Sequence, residues 1–187
     1  RVTVTIAPEP GTDIVSFNIP GQVGESNIDQ NNHIVELTMP YDTDLTNLVS
    51  NFRLSYGAIA EVDGIIQESG TTPNDFSDPL IYTITSYDGN QVQEWSINVT
   101  ELPNSEADFI SFSFLEQNKA AEIDPQRARV DIEVKFGTDV SNLIANFILS
   151  DQATTFIDNV EQLSGITEND FSTPLTYVVI AEDNSIK

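Results

Sequence analysis

The sequence predicts an all-β protein: tandem immunoglobulin-like β-sandwich domains, each with one short helical turn. Three observations predict it. Apolar residues alternate with period two over short segments. The chain repeats itself at a constant offset. Turn-forming residues separate the alternating segments at short, regular intervals.

The repeat comes first, because it sets the domain plan. Asp44–Asn51 reads DLTNLVSN and Asp139–Asn146 reads DVSNLIAN; Asn74–Leu80 reads NDFSDPL and Asn169–Leu175 reads NDFSTPL. Both pairs are 95 residues apart, and the register runs without a gap from Asp13/Asp108 to Asp88/Asp183. About a third of the paired positions are identical. Val2, Val4, Thr5 and Pro8 continue it against Ile97, Val99, Thr100 and Pro103. Residues 1–8 therefore read as the last strand and linker of a preceding repeat. Residues 9–103 read as one whole repeat, and 104–187 as another lacking its final strand. A longer parent array is expected.

Within each repeat the segments alternate as strands with one buried face do. Val35, Leu37, Met39 and Tyr41 form one face; their partners are Val130, Ile132, Val134 and Phe136. The intervening Ile34, Glu36, Thr38 and Pro40 drift to Arg129, Asp131, Glu133 and Lys135, as a solvent face should. The same reading puts Val15, Phe17 and Ile19 in the core, with Ile110, Phe112 and Phe114. It also buries Phe52, Leu54, Leu80, Tyr82, Ile84, Trp95, Ile97 and Val99. Thr43–Ser50 spaces Leu45, Leu48 and Val49 helically behind a Thr43 or Asp44 cap, so one or two helical turns are expected. Asp88-Gly89, and Asp183-Asn184 in the second copy, are hairpin turns that need positive φ. About seven strands per period of 95 add up to an immunoglobulin-like sandwich. The linkers Thr5–Thr12 and Thr100–Ala107 are short, contain Pro, and should be semi-rigid.

Composition narrows the function. Seven Lys plus Arg against 30 Asp plus Glu give a net charge of −23. That field repels phosphate backbones and anionic membranes, so neither nucleic acid nor a membrane surface is an expected partner. No apolar run is long enough to insert into a bilayer. Without cysteine there is no disulfide, thiol catalysis or thiolate metal site.

Several segments together resemble a repeat of large secreted and cell-surface proteins of the Bacteroidota. They are Val15-Ser16-Phe17, Pro40–Leu48, Phe52–Ser55, Asp75–Pro79, Tyr82–Gly89 and Trp95–Val99. The second copy matches at Ile110-Ser111-Phe112, Thr138–Leu143, Phe147–Ser150, Asp170–Pro174 and Tyr177–Asp183. The resemblance spans nearly the whole chain. It implies an exported immunoglobulin-like or cadherin-like module, extracellular or on the cell surface, with no shared catalytic residues.

Chemistry-bearing residues are few. His33 is the sole histidine, its partner is Ala128, and it is expected to be exposed at a strand start. No acyl-transfer triad can be assembled around it, so the chain is not read as an enzyme and no cofactor is expected. Asp13, Asp29, Asp44, Asp63, Asp75 and Asp88 all recur at the repeat offset, which favours turn and cap duties. Calcium is the alternative use of such carboxylates, with Asp42, Asp44, Asp75, Asp78 and Asp88 as its candidates. Tyr56 and Tyr87 belong to one copy only, their partners being Asp151 and Glu182. They are the candidate ligand-binding residues.

The leading expectation is a structural spacer: stalk domains of a large adhesin-like surface protein, whose partners are neighbouring repeats. The alternatives are an adhesion module for a glycan or surface protein, and a filament subunit that borrows a strand from its neighbour.

Overall fold

The computed structural model describes residues 10–187; residues 1–8, read above as the end of a preceding repeat, lie outside that range. The chain divides into two compact units, the first ending at Leu102 and the second beginning at Pro103. Both consist of strands and tight turns, so the all-β class holds.

The first unit has ten strands, several of only two residues. They are β1 (Ile14–Asn18), β2 (Val23–Asp29), β3 (Ile34–Met39), β4 (Leu48–Val49), β5 (Asn51–Leu54), β6 (Ile59–Val62), β7 (Ile65–Ile66), β8 (Pro73–Asn74), β9 (Leu80–Thr85) and β10 (Val92–Glu101). Six of them form one sheet in the order β2-β3-β10-β9-β6-β7, while β1 pairs with β5 and β4 with β8. At the centre, β10 runs antiparallel to β9 and parallel to β3, from Ser96 opposite Ile34 to Glu101 opposite Met39. Alternate side chains of these strands turn inward. Val35, Leu37, Met39, Tyr82, Ile84, Trp95 and Ile97 are buried with Ile14, Phe17 and Phe76 from outside the sheet.

Three expectations are corrected here. Val15 is exposed and Ile14 is buried instead. A β-bulge in the β1–β5 ladder, between Ile14 and Ser16, inserts one residue and flips the facing of everything before it. The second unit repeats the bulge, exposing Ile110 and turning Phe109 toward the core. Tyr41 and Phe136 are exposed rather than inward, because β3 ends at Met39 and the chain turns at Pro40, whose carbonyl accepts from the Thr43 hydroxyl at 2.6 Å. The helical turn is a single 3-10 turn, Leu45–Asn47, capped by Asp44 and not Thr43. Leu48 and Val49, expected in the helix, are extended and pair with β8. Its counterpart in the second unit is Val140–Asn142 behind Asp139.

His33 is also not free at the surface. It is half-buried, adopts φ 55°, and meets the Trp95 ring edge-on at 5.1 Å. Its partner Ala128 keeps the same left-handed backbone at φ 48°, so the turn geometry and not the side chain is what recurs.

The second unit contains β11 (Phe109–Ser113), β12 (Glu122–Asp124), β13 (Arg129–Asp131), β14 (Leu143–Ile144), β15 (Asn146–Leu149), β16 (Thr154–Ile157), β17 (Val160–Glu161), β18 (Glu168–Asn169) and β19 (Val178–Ile180). Here β12-β13 and β17-β16-β19 are separate sheets. They correspond to the two halves that β10 joins in the first unit. Among the described residues no strand joins them. Ile186 pairs with Ile180, and Lys187 exchanges both backbone bonds with Val179, so residues 186–187 run beside β19. Val130, Ile132 and Val134 are half-buried, whereas Val35, Leu37 and Met39, beside β10, are fully buried.

One tyrosine pair shows how the duplicated cores differ. The Tyr82 hydroxyl meets the Ser50 hydroxyl at 3.1 Å and accepts from Asn74 Nδ2 at 3.3 Å. In the second unit Ser50 is replaced by Ala145, and Asn169 keeps only the bond to Gln162 that Asn74 also makes to Gln67. The Tyr177 hydroxyl is buried without a partner, and burial pushes its pKa up to about 12. Removing a bonded hydroxyl orphans its partners, while removing an unbonded one costs nothing of that kind. Tyr82→Phe should therefore destabilise by about 1–2 kcal/mol and Tyr177→Phe by about zero, or even stabilise. Urea unfolding midpoints of the two variants check this; equal losses would contradict it.

Candidate functional site

The two tyrosines singled out by their absence from the second copy come together in the first unit. They lie 31 residues apart in sequence, on two different turns. Ile59 of β6 pairs with Thr85 of β9, which sets the turn before β6 beside the hairpin after β9. Tyr56 rides on the first turn, closed by the Ala58 N–H donating to the Ser55 carbonyl at 3.1 Å. Tyr87 rides on the second, closed by the Ser86 N–H to the Gln91 carbonyl and the Gly89 N–H to the Ser86 carbonyl, each 2.9 Å.

The rings stand 6.1 Å apart at 56°, and the residues are 66% and 69% exposed. So large an aromatic surface left open on two braced turns is what a stacking platform requires. Gly57 makes the approach feasible. Its φ is 69°, and a Cβ there would lie 2.6 Å from the Tyr87 ring. Beside Tyr56 lies a shallow cleft of about 440 Å³, lined in part by Arg53, Ser55, Gly57, Ile66 and Gln67.

Asp88 braces the turn that carries Tyr87. Its carboxylate accepts from the Ser86 hydroxyl at 2.7 Å, the Asn90 N–H at 3.1 Å and Asn90 Nδ2 at 2.8 Å. These bonds, the Ser86 hydroxyl's above all, hold its pKa below the usual carboxylate range. The other calcium candidates are similarly engaged or scattered. Asp44 accepts from the Thr46 hydroxyl and N–H, and Asp75 from Ser77; both pKa values are lowered by those bonds. Asp44 and Asp75 are near enough for one charge to raise the other's pKa. Asp42 and Asp78 are exposed. Among the described residues no three carboxylates or imidazoles gather as a metal-holding group.

The corresponding end of the second unit is built differently. Asp151 and Glu182 stand where the tyrosines do, and Asn104 ties them down. The Asn104 N–H donates to the Glu182 carboxylate at 2.9 Å, and its Nδ2 donates to the Asp151 carbonyl at 3.1 Å. Arg53 and Gly57 were missed by sequence reasoning. Their available signal was substitution in the same copy: Ile148 and Gln152 are their partners.

Among solved structures the chain is similar to a candidate glycoside hydrolase from Bacteroides thetaiotaomicron, with 25% identity and a TM-score of 0.42, over 68% of this chain and 36% of that one. It is also similar to a candidate secreted protein from Bacteroides fragilis, with 18% identity and a TM-score of 0.35, over 50% of this chain and 94% of that one. The chain thus spans about a third of the length of the first. No curated protein matches it. No helix among the described residues is long and apolar enough to cross a membrane. The model of the family described as SGBP, N-terminal, matches twice, over residues 14–99 and 109–187. Those two stretches are most of the sequence, and the chain belongs to the SGBP N-terminal family.

Proposed function

We propose that the first unit binds a glycan on the Tyr56–Tyr87 platform, and that the second unit acts as a spacer in a tandem array at the cell surface. The observation that carries the proposal is the pair of exposed, braced rings, present in one unit and replaced by Asp151 and Glu182 in the other. A pyranose ring has an apolar face of C–H groups, which stacks on an aromatic ring while its hydroxyls stay wet. Family membership supports a glycan over a protein as ligand. Nothing catalytic is proposed. The spacer role is supported by the internal duplication and the short linker containing Pro103. The filament reading draws on the two unjoined sheets of the second unit.

A glycan array on this chain, followed by calorimetric titration of the hits, tests the platform. Truncating a central aromatic contact costs about 1–2 kcal/mol or more, which is roughly 5- to 30-fold in affinity. Tyr56→Ala and Tyr87→Ala should each weaken binding by that factor. Their melting should hardly change, because both rings are exposed. Gly57→Ala should weaken binding too, by displacing Tyr87. Unchanged affinity in both tyrosine variants would defeat the proposal.

A further inference from the structure

We infer that the glycan taken at this platform is anionic, and that Arg53 grips its carboxylate or sulfate; the inference rests on the platform reading above. Among residues 10–102 there are 14 Asp plus Glu and a single Lys or Arg, which is Arg53. With so many carboxylates in the unit, a purely structural arginine would be expected to pair with one. Of the five cations in the second unit, Lys119, Arg127, Arg129 and Lys187 do, and Lys135 alone does not among the described residues. The exposed Arg53 side chain has no hydrogen bond or ion pair among the described residues.

Its position is the second part of the case. Arg53 lines the cleft that Tyr56 and Gly57 also line, and no Asp or Glu lines it. The other polar side chains there are already committed. The Ser55 hydroxyl accepts from the Asp13 N–H at 3.1 Å and donates to the Asp13 carboxylate at 3.4 Å. Gln67 Nε2 donates to the Ile65 carbonyl at 3.0 Å, and its Oε1 accepts from Asn74 at 2.8 Å. What remains for a ligand is a guanidinium and the Tyr56 hydroxyl. A guanidinium only donates, in a planar fork that fits the paired oxygens of a carboxylate or sulfate. Neutral sugars offer hydroxyls that both donate and accept, and this cleft has little to accept with.

The third part is joint replacement. Arg53, Tyr56 and Tyr87 become Ile148, Asp151 and Glu182 in the second unit, so the cation vanishes together with the rings. The acidic remainder of the unit does not forbid an anion. Exposed charges beyond about 8 Å are largely screened at physiological salt, while a contact pair is screened much less.

The test uses the intact chain and matched pairs of oligosaccharides: an oligouronate with its carboxyl-reduced form, and a sulfated galactan oligosaccharide with its desulfated form. Titrations are run with wild type, Arg53→Gln, Arg53→Lys and Tyr56→Ala. One anionic member should bind at least tenfold more tightly than its neutral counterpart, and which pair responds separates carboxylate from sulfate. Arg53→Gln should erase that difference, Arg53→Lys should keep part of it, and added salt should reduce it. If neutral forms bind equally well and Arg53→Gln changes nothing while Tyr56→Ala abolishes binding, the inference fails and the platform stands. If Tyr56→Ala is also silent, the platform reading fails and this inference with it.

Discussion

Trp95→Ala should lower the melting temperature of the first unit by about 20 °C. Trp95 is fully buried, and its strand is the one that joins the two halves of the six-stranded sheet. Truncating a buried Trp removes about 3–5 kcal/mol through lost burial and the cavity left behind. The indole N–H also donates to the Thr12 carbonyl at 2.9 Å, which the substitution leaves unpaired. A domain of this size shifts by about 4–8 °C per kcal/mol, so the loss consumes most of its stability. Scanning calorimetry of the chain reads the shift. Tyr56→Ala, at an exposed ring, is the control that should leave the transition in place. A fall of only a few degrees would mean that β10 is not the keystone of the sheet.

Extending the second unit with the counterpart of β10 should have an effect of similar size and opposite sign. The hairpin after β19 is closed by the Ala181 N–H to the Ser185 carbonyl, against Ser86 to Gln91 in the first unit, so it is one residue tighter. Ile186 and Lys187 therefore stand where Val92 and Gln93 do. A second copy of Glu94–Leu102, fused directly after Lys187, should continue the strand in register between β19 and β13. Its Trp, Ile and Val would each contribute about 1.5–3 kcal/mol of burial, offset in part by the cost of ordering the added residues. They would also cover Val130, Ile132 and Val134, and the net gain should raise the melting of the second unit by about 10 °C or more. The same fusion with those three residues changed to Ser should add nothing. The filament reading is tested in the same experiment. If the unextended chain associates by strand exchange, sedimentation should show concentration-dependent growth that the fusion abolishes. A chain that sediments as a monomer at every concentration would end that reading.

Much of the fold was legible because β-structure writes a period of two into the sequence, and duplication writes it twice. The inward sets Val35, Leu37, Met39 and Tyr82, Ile84, Trp95, Ile97 stand where alternation put them. Asp44, Asp88, Asp139 and Asp183 serve the turns and caps their spacing suggested, because an aspartate bonds the backbone two residues on by local geometry alone. Alternation could not reveal the bulge at Val15. A bulge is a property of two strands in register, and its signature in one strand is only a one-residue slip of phase.

The site divides in the same way. The sequence alone determined that Tyr56 and Tyr87 belong to one copy, since that needs only comparison across the offset of 95. Only the tertiary structure decided that their rings stand 6.1 Å apart, through the pairing of Ile59 with Thr85, and that Arg53 and Gly57 line a cleft with Tyr56. It decided as well that β12-β13 and β17-β16-β19 are separate sheets among the described residues. The physical reason is common to all three. Turn chemistry and strand periodicity act between near neighbours along the chain, and so can be read from it. A cleft, a ring pair or an open sheet is set by strand partners far apart in sequence, whose meeting depends on the energy of the whole sheet.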